Sequence, residues 1–129
     1  MAVITGVNHI TINVTDLAAS KAFYENVLEL VPCGFIDMGD HNLTYYELPQ
    51  GVRLELIEYN EPDTPAAVPV THVGMLRHFC LETDSLERIM ENCRKYHVNV
   101  TKEPSFVEKL GRSNILLMDP NGVELEVFE

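Results

Sequence analysis

The sequence predicts an α+β fold made of two βαβββ modules, and two observations carry that expectation. A ten-residue pattern occurs twice, and the same order of apolar periodicities precedes each copy. Residues 49–58 read PQGVRLELIE and residues 120–129 read PNGVELEVFE, identical at six of ten positions with an offset of 71. Upstream, His9-Ile-Thr-Ile-Asn-Val-Thr-Asp16-Leu matches His78-Phe-Cys-Leu-Glu-Thr-Asp84-Ser-Leu. A unit of about 70 residues present only twice is too long for a solenoid and reads as duplication of a small module.

Each element follows from local pattern. Val7 to Val14 alternates and is β-branched, which predicts a strand. Asp16 is a helix N-cap, and Leu17, Phe23, Tyr24, Val27, Leu28 and Leu30 supply an apolar face to about residue 30. Extended runs follow near 31–37, 42–48 and 52–59, with Pro49-Gln-Gly51 turning between the last two. The second half predicts a strand over 78–83 and a helix capped by Asp84 or Ser85, carrying Leu86, Ile89, Met90 and Cys93. Strands near 98–103, 113–118 and 123–128 complete it, with Asp119-Pro-Asn-Gly122 as the last turn. The chain thus reads as one domain over 1–129, with module 1 at about 5–60 and module 2 at about 72–129. Between them, 61–70 holds three of the seven prolines (Pro62, Pro65, Pro69) and reads as a stiff, extended connector.

Composition bounds the function. At 129 residues, 46% hydrophobic and 22% charged, the chain can build a core without metal or disulfide staples. Nine basic against twenty acidic residues give a net charge of −11, which repels phosphate backbones and anionic lipid. The expected partner is a small molecule, not nucleic acid or membrane. Cys33, Cys80 and Cys93 are odd in number and unpaired in spacing, so they read as reduced thiols. No leader-like segment opens the sequence, and the expectation is a cytoplasmic protein.

Strand alternation selects the chemistry. Ile10, Ile12 and Val14 share one face of the first strand, and His9, Thr11 and Asn13 the other. Leu54 and Leu56 oppose Arg53, Glu55 and Ile57; Phe79 and Leu81 oppose His78, Cys80 and Glu82; Leu125 and Val127 oppose Glu124, Glu126 and Phe128. If each apolar face packs under its helix, His9, Glu55, His78 and Glu126 can converge on the opposite, concave side. Two imidazoles and two carboxylates suit a first-row divalent cation with positions left open. A lone strand His or Glu is usually a solvated bystander; the doubling at matching repeat positions is what singles these four out.

With these residues in hand, the sequence resembles the vicinal oxygen chelate superfamily, and within it the glyoxalase I type. The resemblance rests on the His9 strand leading into Thr15-Asp16-Leu17, on Phe23-Tyr24-Glu25-Asn26-Val27-Leu28, on Leu54-Glu55-Leu56, on the His78 strand, and on Asp119-Pro-Asn-Gly122-x-x-x-Glu126. It implies a curved eight-stranded cup around one divalent metal (Zn, Ni, Co, Mn or Fe) held by His9, Glu55, His78 and Glu126. It also implies a metal-dependent lyase or isomerase acting on a small oxygenated metabolite, with Glu126 or Glu55 moving a proton. An extradiol-type dioxygenase and a non-catalytic, bleomycin resistance-like binding protein are the alternatives. The glyoxalase I arginine four residues after the first ligand is replaced by Asn13, and the Tyr59-Asn60 pair is displaced by one, which speaks against glutathione. The stiff connector and the resemblance together favour a homodimer, with His9 and Glu55 of one chain meeting His78 and Glu126 of the other.

Other groups carry weaker signals. His41 and His72 read as loop residues near a pocket mouth, and His97 as an interaction with a helix C-terminus. One of Tyr45 and Tyr46 is expected to face the cup. Cys80 shares a face with His78. Arg53 and Arg112 are possible anion clamps, and loops around 33–42 and 104–113 are expected to form the rim.

Overall fold

The computed structural model describes residues 2–63 and 68–129, and Pro65 of the expected connector lies outside them. The first module comprises β1 (His9–Asn13), α1 (Leu17–Ala22), β2 (Val31–Asp37), β3 (His41–Glu47) and β4 (Arg53–Tyr59). The second comprises β5 (His78–Glu82), α2 (Leu86–Lys95), β6 (Val100–Val107), β7 (Arg112–Met118) and β8 (Glu124–Phe128). The α+β architecture and the doubled βαβββ order are those expected. The eight strands form two curved four-stranded sheets, ordered β1-β4-β3-β2 and β5-β8-β7-β6, and neither closes.

Each sheet is mixed. Its first strand runs parallel to its last, and its other two pairs are antiparallel. The outer strands β2 and β6 contain Pro32 and Pro104, residues that cannot donate to a ladder. Register shifts fall beside both, between Pro32 and Gly34 and between Lys102 and Ser105, as expected at edges.

Two details depart from the pattern reading. The first helix is α-helical only to Ala22; a π-helical turn, Phe23–Val27, follows, and Glu29 adopts a left-handed φ of 55°. Its closure is set by backbone donation from Leu30 to the Tyr24 carbonyl at 2.9 Å. The expected rim loops are largely strand: 33–37 belongs to β2, 41–42 to β3, 104–107 to β6 and 112–113 to β7. Asp16 caps α1, donated to by the Ala19 amide, and Ser85, not Asp84, caps α2.

A single apolar core spans both modules. Ile12, Tyr24, Leu54 and Leu56 join Ile89, Ile115, Leu117 and Leu125 in one cluster beneath the helices. The modules meet through their helices: the Asn92 side chain donates to the Val27 carbonyl at 3.0 Å, and Arg88 forks onto Glu29 with both bonds at 2.6 Å. Packing on the helical side leaves the opposite face of each sheet open, and that face carries the polar strand residues.

Candidate metal centre

Parallel pairing places the candidate residues in the same way twice. His9 lies opposite Arg53 and Thr11 opposite Glu55; His78 lies opposite Glu124 and Cys80 opposite Glu126. Paired residues share a face, so each open sheet face presents a His and, one pair further along, a Glu.

In the second sheet the two are close. His78 Nε2 stands 3.5 Å from Glu126 Oε1, and His78 Nδ1 stands 2.6 Å from Glu124 Oε1. Arg77 Nε donates to that same Glu124 oxygen at 3.0 Å. Glu124 is nearly buried, at 3% exposure. Burial raises its pKa, but the hydrogen bonds from Arg77 and His78 outweigh that and hold the carboxyl below its ordinary value. An ionised carboxylate only accepts, so the proton of a neutral His78 sits on Nδ1 and Nε2 keeps its lone pair. Nε2 and Glu126 Oε1 are then two acceptors facing each other, an arrangement a cation between them satisfies. Ligands at about 2.0–2.2 Å and a tetrahedral angle stand roughly 3.4 Å apart, so the spacing fits a shared divalent ion. Glu126 Oε2 accepts from Asn114 Nδ2 at 2.8 Å. Asn114 is buried, and its own Oδ1 is left without a partner.

The first sheet is built differently. Glu55 is buried, and hydroxyls hold both its oxygens: Thr11 donates to Oε1 at 3.1 Å and Tyr45 to Oε2. His9 is exposed, and its Nδ1 lies 2.7 Å from Asn8 Oδ1. Among the described residues no ion pair joins His9 to Glu55, and no group of three or more His, Cys, Asp and Glu is arranged to hold a metal ion by itself. One chain therefore presents two half-sets on two sheets and does not gather all four residues.

The remaining candidates sort by face. Tyr45 faces the open side; Tyr46 is fully buried, with its hydroxyl toward Glu25 at 3.3 Å. Arg53 stacks over the Tyr45 ring at 4.2 Å, while Arg112 pairs with Glu82 at 3.0 Å and covers Phe128. His41 belongs to β3, not to a loop; it bonds Asp40 at 2.6 Å and packs on Tyr59. His72 is exposed, and His97 takes the left-handed φ of 56° just beyond α2. Cys80 lies beside Glu126; burial, then that carboxylate, pushes its thiol up to about 11, so it is protonated at neutral pH. A cleft of about 1020 Å³ runs between β1 and β5, lined by Thr11, Asn13, Arg77, His78 and Glu124 among others.

Sequence reasoning missed Glu124, Arg77, Asn114 and the donor roles of Thr11 and Tyr45. Alternation did put Glu124 on the right face. Pairing first strand with last in register would have set it against His78.

Comparison with known proteins agrees with this architecture. The model of the Glyoxalase/Bleomycin resistance protein/Dioxygenase superfamily matches residues 6–127. Mitochondrial methylmalonyl-CoA epimerase of Bos taurus is 25% identical over 125 residues, covering 93% of this chain and 71% of that protein. The structure of a glyoxylase/bleomycin resistance protein/dioxygenase domain from Frankia sp. superposes with a TM-score of 0.81 at 21% identity, covering 97% of this chain and 91% of that one. The trypanothione-dependent glyoxalase I of Leishmania major gives 0.78 at 20% identity, covering 98% and 87%.

Proposed function

The chain belongs to the Glyoxalase/Bleomycin resistance protein/Dioxygenase superfamily, and we propose that within it the protein is a divalent-metal-dependent lyase or isomerase of a small oxygenated metabolite. The observation that carries this reading is His78 Nε2 standing 3.5 Å from Glu126 Oε1 on an open sheet face. His9, Glu55, His78 and Glu126 are the proposed ligands. A divalent ion held there supplies a Lewis-acidic centre that polarises a substrate carbonyl beside the carbon bearing the mobile proton.

The protein's own residues divide the remaining work. Glu55 is pinned by Thr11 and Tyr45, which suits a fixed anchor. Glu126 is partly exposed and held at Oε2 by Asn114, so it is the ligand proposed to detach at Oε1, the oxygen that faces His78, and there take up and return a proton. Glu126 is therefore the proposed proton carrier. The relatedness to an epimerase supports chemistry of that class.

The complete set is proposed to form between two chains. Two half-sets on separate open faces support this, as do exposed Val31, Phe35 and Ile36 on β2 and Phe106 on β6. No described helix is long and apolar enough to cross a membrane, and Cys33, Cys80 and Cys93 are all free, which supports a reducing, cytoplasmic setting.

The test is metal loading followed by a substrate screen. Protein loaded separately with Zn²⁺, Ni²⁺, Co²⁺, Mn²⁺ or Fe²⁺ should retain about one ion per chain by elemental analysis, and His78→Ala should lose it. Loaded protein should then act on 2-oxoaldehyde–thiol adducts, or exchange the α-proton of a thioester with deuterium from solvent. Glu126→Gln should slow that step by about 10²–10⁴-fold while metal content stays close to wild type. Oxygen uptake with a catechol would point to a dioxygenase, and tight ligand binding without metal to a sequestering protein.

A further inference from the structure

The two imidazoles of the repeat are not equivalent, and the difference lies in one position. At the register partner of His78 stands Glu124; at the same position of the first module, opposite His9, stands Arg53. The preceding residues differ in the complementary way, Arg77 in the second module and Asn8 in the first. Nothing in the metal-ligand set requires this exchange.

Its result is a chain of contacts on one side of His78 only. Arg77 Nε and His78 Nδ1 converge on the same oxygen of Glu124, at 3.0 and 2.6 Å. Glu124 is buried to 3% exposure, while Arg77 stays half-exposed. A buried carboxylate with two charge-assisted donors has little freedom to turn. Among the described residues His9 has only the neutral amide oxygen of Asn8, at an exposed position. A carboxylate on the remote nitrogen of a metal-ligating imidazole fixes the tautomer, orients the ring and raises its basicity.

We infer that Glu124, held by Arg77, is a positioning residue that locks His78 with its proton on Nδ1 and presents Nε2 as the stronger imidazole ligand of the centre. The inference rests on the metal-centre reading above. His78 becomes the arm that captures the ion, and His9 the arm that completes the set.

The test reads the ring before any metal is added. In the full-length, metal-free protein, at a pH high enough for the imidazole to be neutral, long-range ¹H–¹⁵N correlation should show His78 protonated at Nδ1 and bare at Nε2. Glu124→Gln, which preserves volume in the buried slot, should shift His78 toward the Nε2-protonated form. It should also weaken Zn²⁺ binding by about 10- to 100-fold. Arg77→Gln, at a half-exposed position that does not threaten folding, should weaken Zn²⁺ binding less and in the same direction. Three results overturn the inference: an unchanged tautomer in Glu124→Gln, a neutral wild-type His78 that carries its proton on Nε2, or Zn²⁺ affinity of Glu124→Gln within twofold of wild type. The metal-centre reading fails separately, if wild-type protein with a locked His78 takes up no Zn²⁺.

Discussion

The Tyr24 hydroxyl donates to Asp119 Oδ2 at 2.7 Å, joining the helical segment of the first module to the last turn of the second. Asp119 is the hub of that turn: its Oδ1 accepts from the amides of Asn121 and Val123, and its Oδ2 from the Asn121 side chain. Asn121 in turn accepts from the Thr15 amide at 2.8 Å. The Asp119-Pro-Asn-Gly122 stretch therefore does more than reverse the chain, because it fastens one half of the molecule to the other.

Tyr24→Phe should cost about 1–3 kcal/mol of unfolding free energy, since it removes a buried donor and leaves a carboxylate lone pair unmet. Burial, and then Asp119, holds the Tyr24 hydroxyl far above its ordinary range, so it remains a donor throughout the accessible pH range. Asp119→Ala removes several bonds at once and should cost more. Urea denaturation of both variants, compared with wild type, checks the order.

The Glu29–Arg88 fork should give the fold an acid-sensitive component. The hydrogen bond from Arg88, with Asn92 beside it, holds the folded-state pKa of Glu29 below its ordinary 4.5. A lowered folded value means the contribution is present above the unfolded pKa and is lost as pH falls through the folded one. Glu29→Gln should therefore lower the melting temperature at pH 7, and the gap should shrink as pH falls below 4.5 and the carboxylate takes up its proton. Added salt should narrow it at pH 7, because both groups face solvent. A gap that persists at low pH would assign the effect to packing.

The fold was legible because duplication doubles every signal. The repeat located β4, the turn after Leu48 and their second copies, and alternation located the core faces of β1, β5 and β8. The site was legible only in part, for a physical reason. Period-two alternation says which face a residue occupies, but which residue it meets depends on strand register, and register comes from tertiary pairing. That is why Glu126 was visible and the His78–Glu124 contact was not. The π-helical turn at Phe23–Val27 has no apolar period of its own, and the continuous apolar face through Leu28 hid it. The rim was expected around 33–42 and 104–113, yet Gly34 and Pro104 are accommodated within irregular edge strands.

Glu55 should depend on its hydroxyl donors for stability. Tyr45→Phe strips the donor from Oε2 of a buried carboxylate and should cost about 1–3 kcal/mol. Combining it with Glu55→Leu should cost less than the two single effects added, because the group left unpaired is gone. Strict additivity in a denaturation cycle would mean that the two residues are not coupled.

The proposed assembly of a metal centre between chains would have a consequence that no within-chain arrangement shares. The half-sets His9 with Glu55 and His78 with Glu126 belong to different sheets of one chain. If two chains exchange them, a dimer of one His9→Ala chain and one His78→Ala chain collects both lesions at one centre and none at the other. Either variant alone has a damaged centre at every position. Co-refolding the two at equal concentration makes about half the dimers mixed, so roughly a quarter of all centres should be intact. Tagging the two chains differently allows the mixed dimers to be isolated, and elemental analysis should find about one tightly held ion per dimer. Turnover should recover in the same proportion once a substrate is in hand. Confirmed mixed dimers that hold no more metal than the parent variants would place each centre within a single chain.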